Sequence, residues 1–359
     1  MTRDKFILLL LISLIVTSAC QSNKKAESVS FDQTITTSNL EVFDIPPVLF
    51  KERTIFCTDD FFISNSVTPD TLFRVFDNKS LEYLGGFGTQ GQGPEEYNVI
   101  ASSLFSPYGN AIHVGNFKTV RTVELKKREM NSSELDISVV EEHRTPGELV
   151  PLNWSFKLND SSFVGEKAFS LDSELAYFNI QNGVTGEFIS FPEFVDDITP
   201  KAKSLVYNKK LRVSRDESKI VMAYSRFPLI RIYDVVSGQI KNVFVKTDSK
   251  FEQNEIKMNP DKLNINYKEL FNYYINLEVT EKFIYAQMLI MSWDNDLAKS
   301  KLHYPSELHV FNLNGEPKLK ITLEDWMHTY APSMDDQYIY FWNAEIEDKV
   351  YRLPISESL

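Results

Sequence analysis

The chain has 359 residues with 50 acidic and 38 basic side chains, a formal net charge of −12, and a surface of that sign repels nucleic-acid phosphates. Hydrophobic residues make up 43% and aromatics 13% of it, too many for a disordered chain, while only 13 Gly and 15 Pro exclude collagen-like and low-complexity classes. The length fits two average domains, or one all-β unit of barrel or propeller type.

Residues 1–19 read as an export signal. Arg3 and Lys5 precede the apolar run Phe6 to Val16, and Thr17-Ser18-Ala19 supplies small residues before Cys20, the three regions of a cleaved leader. The run is too short to span a bilayer, which takes about 20 apolar residues. A cysteine directly after small residues and before polar Gln21 to Lys25 resembles the bacterial lipobox, which implies lipidation of Cys20 and cleavage just before it. An ordinary leader with an incidental cysteine is the alternative. Residues 20–38, rich in Ser, Thr, Lys and Gln, are expected to form a flexible tether, with the folded domain at 39–359. The tether lacks the acidic run associated with surface export in lipoproteins of Bacteroidetes type, which points to an outer-membrane protein facing the periplasm. Cys57 is the only other cysteine; no intrachain disulfide can form once Cys20 is acylated, and the apolar Thr54-Ile55-Phe56-Cys57 predicts an inert, buried thiol.

Beyond the tether, short stretches of Val, Ile, Phe and Tyr alternate with polar turns, and few windows show a helical period. Leu40 to Ile45 is the first predicted strand. A polar turn followed by an aromatic or β-branched strand then recurs six times, with Phe62, Ile112, Phe163, Ile220, Phe283 and Ile339 as equivalent positions. The steps are 50, 51, 57, 63 and 56 residues. Each turn-strand unit is followed by an alternating strand that ends in a turn, clearest at Leu72 to Asp77, Leu229 to Asp234 and Leu308 to Asn312, and weaker at Val120 to Leu125, Leu175 to Ile180 and Val350 to Leu353. A further strand such as Gln239 to Val245 follows most of them. Four strands per unit of this length is the arithmetic of a propeller blade, so the predicted fold is an all-β, six-bladed propeller of four-stranded antiparallel blades. A two-sheet sandwich array is the competing arrangement. The sixth unit runs out after its third strand, near Leu353, whereas Leu40 to Ile45 stands unpaired before the first. The N-terminal strand is therefore expected to complete the last blade and close the ring, removing exposed sheet edges. The segment from Lys246 to Leu277 lengthens the fifth unit and reads either as a lid or partner surface, with Tyr267, Phe271, Tyr273 and Tyr274, or as an irregular first strand.

The stretch Gly85-Gly86-Phe87-Gly88-Thr89-Gln90-Gly91-Gln92-Gly93-Pro94-Glu95-Glu96-Tyr97 resembles the Gly-rich segment of the TolB-like six-bladed propeller lipoproteins of Bacteroidetes and, more distantly, the NHL repeat. With the lipobox and six units, the resemblance spans nearly the whole mature chain. It implies a fold and an envelope location, and no reaction. Gly86, Gly88 and Gly91 also spell a dinucleotide fingerprint, but that site needs a helix opening directly after the glycines, and Gly93-Pro94 stands there instead. The expected role is an inter-blade connection whose glycines take positive φ, with Glu95 and Tyr97 entering the next blade.

No nucleophile elbow, Walker loop, His-Glu-x-x-His or paired Cys-x-x-Cys occurs, and the five histidines show no ligand spacing. Asp294-Asn295-Asp296 lacks the glycine and distal glutamate of a calcium loop. The paired acids Asp59-Asp60 and Asp335-Asp336 fall in the repeated turn between first and second strands, where Asp caps turns. In six-bladed propellers ligands meet the opposite face, built by loops between second and third strands and by inter-blade connections. Counting four positions from the equivalent residues puts Asn116, Lys167, Tyr224 and Asn343 near that rim, with Asn65, Arg226, Trp293 and Trp342 beside them. Aromatic rings and amides of this kind suit stacking on sugars or peptide side chains, with hydrogen bonds for orientation. The expectation is a monomeric, cofactor-free module, held to the membrane by its lipid, that binds a glycan, a peptide or an envelope protein. The competing expectation is a lactonase- or lyase-like enzyme with one divalent cation in the funnel, to which Asn116 and Asn343 would contribute.

Overall fold

Six antiparallel sheets stand around one axis, each with its first strand innermost. The computed structural model describes residues 27–38, 40–45, 52–66, 68, 70–91, 93, 96–97, 105–115, 119–128, 135–149, 152–159, 161–167, 173–194, 203, 206–247, 254, 270–292, 306–324, 327–343, 346 and 348–359. Blade 1 comprises Glu52–Cys57, Phe61–Ser66, Phe73–Asp77 and Tyr83–Phe87. Blade 2 comprises Phe105–Tyr108, Ala111–Gly115, Thr119–Lys127 and Leu135–Arg144, and blade 3 Leu152–Asn159, Ser162–Lys167, Ser173–Asn179 and Thr185–Ser190. Blade 4 is built from Lys209–Val213, Lys219–Tyr224, Leu229–Asp234 and Ile240–Val245, and blade 5 from Phe271–Val279, Phe283–Ser292, Ser306–Asn312 and Pro317–Leu323. Thr329–Pro332, Tyr338–Trp342 and Lys349–Pro354 supply three strands of blade 6.

The repeated turns follow from side-chain capping. At the end of the first strand a hydroxyl receives backbone N–H groups of the turn: Thr58 takes that of Phe61, Thr280 that of Phe283, Ser214 that of Lys219 and Ser333 those of Gln337 and Tyr338. At the end of the third strand Asp77, Asn179, Asp234 and Asn312 each accept N–H groups from the next few residues. These polar side chains close the hairpin and leave the flanking strands to pack. The shared Thr58 and Thr280 geometry aligns Phe61 with Phe283, so the fifth-blade equivalent of Phe62 is Ile284, one residue beyond the predicted Phe283. Ile284 is fully buried and Phe283 only partly.

The core consists of layers between blades rather than one centre. Among the described residues the buried apolar side chains group into six clusters, one at each blade junction. Burying a Leu, Ile, Val or Phe in such a layer contributes roughly 1.5–3 kcal/mol. Because each blade is covered on both faces, strands such as Phe61–Ser66 are buried at every position, and strict inside–outside alternation is lost.

The N-terminal segment wraps the outside. β1 (Glu27–Val29) adds parallel to the outer strand of blade 4, β2 (Thr34–Thr36) adds parallel to that of blade 5, and β3 (Glu41–Asp44) pairs antiparallel with Lys349–Pro354 as the fourth strand of blade 6. The three strands begin seven residues apart, one blade per step. The ring closes as the unpaired N-terminal strand requires, with Ile45 buried and its N–H donated to Asp348. The tether expected over 20–38 is corrected from residue 27 onward. Val29 and Thr37 are buried, and Phe31 lies against the rings of His309 and Phe311 at 4.7 and 5.2 Å. This segment gains order from the sheet edges it covers. The leader and Cys20 lie outside the described residues. Among the described residues no helix is long and apolar enough to cross a membrane.

Candidate binding face

The two ends of the ring carry different chemistry. The lower end holds the turns between first and second strands, and its acids are used internally. Asp60 accepts the Asn110 amide of blade 2, Asp216 accepts from Ser214 and Ser218, and Asp335 accepts from Ser333. Asp336, at φ +59°, is buried and takes the hydroxyls of Thr280 and Tyr285 on Oδ1 at 2.6 and 2.9 Å. Burial raises its carboxyl above the ordinary range. Arg215 of blade 4 reaches Asp59 of blade 1 at 2.6 Å. Blades 1 and 4 are opposite in a ring of six, so this ion pair crosses the lower mouth of the central channel.

The upper end collects the loops between second and third strands and the inter-blade connections. The Gly-rich stretch is one of these connections, as its sequence predicts. Thr89–Gln90 pairs in parallel with Glu96–Tyr97, and the Gly93 N–H donates to Glu96 Oε2 at 2.7 Å. Gly88 takes φ +76°, a conformation that side-chain-bearing residues rarely adopt, and a Cβ on Gly91 would sit 1.9 Å from the Glu96 carboxylate, which would have to give up its present position. Tyr97 is buried against Phe73 and beneath the Arg121 guanidinium.

The predicted rim residues separate into groups. Asn116 and Trp293 lie outside the described residues. Lys167 ends the second strand of blade 3, opposite Leu152. Tyr224 is not at the surface: it is fully buried, and its hydroxyl donates to Glu174 at 2.6 Å. Trp342 is likewise a core residue, 1% exposed among Ile55, Phe62 and Val350. Neither ring can stack on a ligand as expected. The cause is that both lie within second strands covered on both faces, so every position along them after the first is buried. Asn65 is also buried, donating to the Leu72 carbonyl. Asn343 sits just past its strand and is nearly buried, and exposed His328 lies over the Trp342 ring at 6.2 Å.

Arg226 is the predicted residue that best fits a site. It stands in the loop 225–228 of blade 4, partly buried, and donates from Nη1 to Asn272 Oδ1 at 2.6 Å. Its Nε is buried with no hydrogen-bond partner. Asn254 fixes this loop, donating to the carbonyls of Arg226 and Phe271 and accepting the Phe271 N–H. Nothing in the sequence around Asn254 or Asn272 marks these supports.

Sequence reading also missed a buried charge cluster beneath this face. Glu174 of blade 3 is fully buried; it pairs with Arg231 of blade 4 and lies 3.5 Å from Lys209, which also meets Glu166 at 3.1 Å. Burial alone would lower the Lys209 ammonium, but the two carboxylates raise it above its ordinary value. A signal was present, because Glu174 and Arg231 interrupt otherwise apolar strands, and charges there need partners. Among the described residues no three His, Cys, Asp or Glu side chains converge as metal ligands would.

A model of the TolB-like six-bladed propeller family matches residues 31–332. The crystal structure of a DUF4221-family member from Bacteroides vulgatus superposes with a TM-score of 0.61 at 11% identity, covering 88% of this chain and 96% of that one. A Bacteroides fragilis protein named "Putative exported protein" superposes with a TM-score of 0.54 at 12% identity, covering 91% and 99%. At these identities the likeness is one of fold. No curated protein sequence matches the chain.

Proposed function

Since this chain belongs to the TolB-like six-bladed propeller family, we propose that it is a lipid-anchored module of the cell envelope that binds a glycan, a peptide or a partner protein on its upper face. The observation that carries this reading is the contrast between the two ends. The lower mouth is crossed by the Arg215–Asp59 pair and the turn acids there are engaged in capping and ties between blades. The upper end offers a partly buried guanidinium that meets no acid among the described residues and is oriented by Asn272, the kind of polar group that orients a ligand in a concave site. The envelope placement rests on the leader and Cys20, and the name of the Bacteroides fragilis neighbour accords with it. With β1 fixed to blade 4, only residues 21–26 separate the acylated cysteine from the folded body, which holds the propeller within about 25 Å of the lipid surface.

The test is a calorimetric screen of the mature chain against envelope glycans and peptides, followed by two variants. His328→Ala, on the upper face, should weaken the ligand found, and Asp60→Ala, on the lower face, should leave it unchanged. The reverse pattern would place binding at the wrong end of the ring.

A further inference from the structure

Arg226 differs from the other described cations near it. Arg231 has Glu174, Lys209 has Glu166 and Glu174, and Arg212 has Glu278 at 2.6 Å. Among the described residues Arg226 meets no acid. Among these residues its guanidinium hydrogen-bonds to the neutral oxygen of Asn272, itself buried, and its enclosed Nε meets no acceptor. Taking a guanidinium partly out of water without a counter-charge costs free energy, and here burial is the sole cause that lowers its proton affinity. Among the described residues nothing offsets that cost, yet the loop is held in place: Asn254 clamps the loop carbonyl, and the Ser225 carbonyl accepts the Tyr273 N–H of blade 5. A partly desolvated guanidinium has five N–H donors, of which Asn272 takes one, and its plane suits recognition of a planar oxyanion through two parallel hydrogen bonds.

We propose that Arg226, oriented by Asn272, forms a carboxylate-recognising subsite on the upper face. This rests on the upper-face reading and narrows it: the ligand carries a carboxylate, as a uronic acid residue of an acidic glycan or as the C-terminus of a peptide. In a chain of net charge −12 such a subsite selects by local charge, because the surrounding field disfavours anions that cannot reach the guanidinium.

The experiment has two parts on the mature chain. Thermal melts compare Arg226→Met with Arg231→Met: loss of the paired Arg231 should lower the melting temperature, whereas loss of Arg226 should leave it unchanged or raise it. A fall of similar size in both would show that Arg226 is a structural cation and overturn the proposal. Titrations then use an oligogalacturonate, its carboxyl-reduced neutral form, and a short peptide with a free or amidated C-terminus. The expected result is binding by the oligogalacturonate or by the free-acid peptide, reduced at least tenfold both by neutralising that carboxylate and by Arg226→Met. The probe that responds identifies the source. Failure of every carboxylate probe, or affinity indifferent to Arg226→Met, would overturn the subsite. A neutral ligand that responds to His328→Ala and not to Arg226→Met would do the same while leaving the upper-face reading intact.

Discussion

Glu174 is the residue on which the junction of blades 3 and 4 most depends. Its carboxylate has no exposure and serves Arg231, Lys209 and the Tyr224 hydroxyl together. Replacing it with Leu leaves the Arg231 guanidinium, 7% exposed, without a counter-ion; breaking one side of a buried pair costs about 3–5 kcal/mol. Replacing Arg231 with Met alone leaves the acid with Lys209 and should cost less, about 2–3 kcal/mol. The double variant substitutes apolar bulk for both charges and should recover most of the loss, giving a coupling of at least about 2 kcal/mol in a double-mutant cycle. For a domain of this size the unfolding entropy is roughly 0.7 kcal/mol per degree, so Glu174→Leu should lower the melting temperature by about 5 °C. Calorimetric melts at pH 7 of the four proteins measure the cycle. Additivity within about 0.5 kcal/mol would refute the claim that these charges act as one buried unit.

Other outcomes follow from the strap, the lower turns and the anchor. Deleting residues 21–26 should leave the melting temperature unchanged, while Phe31→Ala, which removes the contacts with His309 and Phe311, should cost about 2 kcal/mol and expose 27–38 to protease; equal proteolysis of parent and variant would argue against a docked strap. Asp336→Asn should raise stability at pH 7, because a carboxyl whose folded pKa is raised contributes stability below its unfolded value that is lost as pH rises through the folded one. Near pH 3 both proteins carry a neutral side chain and should melt together; an unchanged gap between pH 3 and 7 would contradict the assignment. Cys20→Ser should shift the protein from membrane to soluble fractions, and unchanged fractionation, with no labelled palmitate on the parent, would count against lipidation.

The sequence made the ring legible because the blades repeat their chemistry. The polar turn before each second strand and the Asx residue closing each third strand recur at Asp77, Asp234 and Asn312, and the chain-end arithmetic that assigns Leu40 to Ile45 to blade 6 needs no structure. β1 and β2 were not legible. Three-residue strands in a Ser/Thr-rich stretch carry no alternation of their own, and their order comes from outer strands more than 200 residues away. The rim was half legible. Arg226 lies past the end of its strand, where a side chain is free of the blade interior, whereas Tyr224 and Trp342 lie within strands covered on both faces, so aromatic character there reports packing. Asn254 could not be read at all, since its role consists of bonds to the backbone of residues 17 and 28 positions away.

The most direct test of the account is hydrogen exchange of the mature chain with and without a bound envelope ligand, read by mass spectrometry. Protection is predicted in the upper loops, in peptides covering 225–228 and 327–328 and the start of the strand at Phe271. The lower turns at 58–61, 214–219 and 333–338 should exchange alike in both states. Protection confined to those lower turns, with the Arg226 loop unchanged, would contradict the claim that this propeller binds through its upper face.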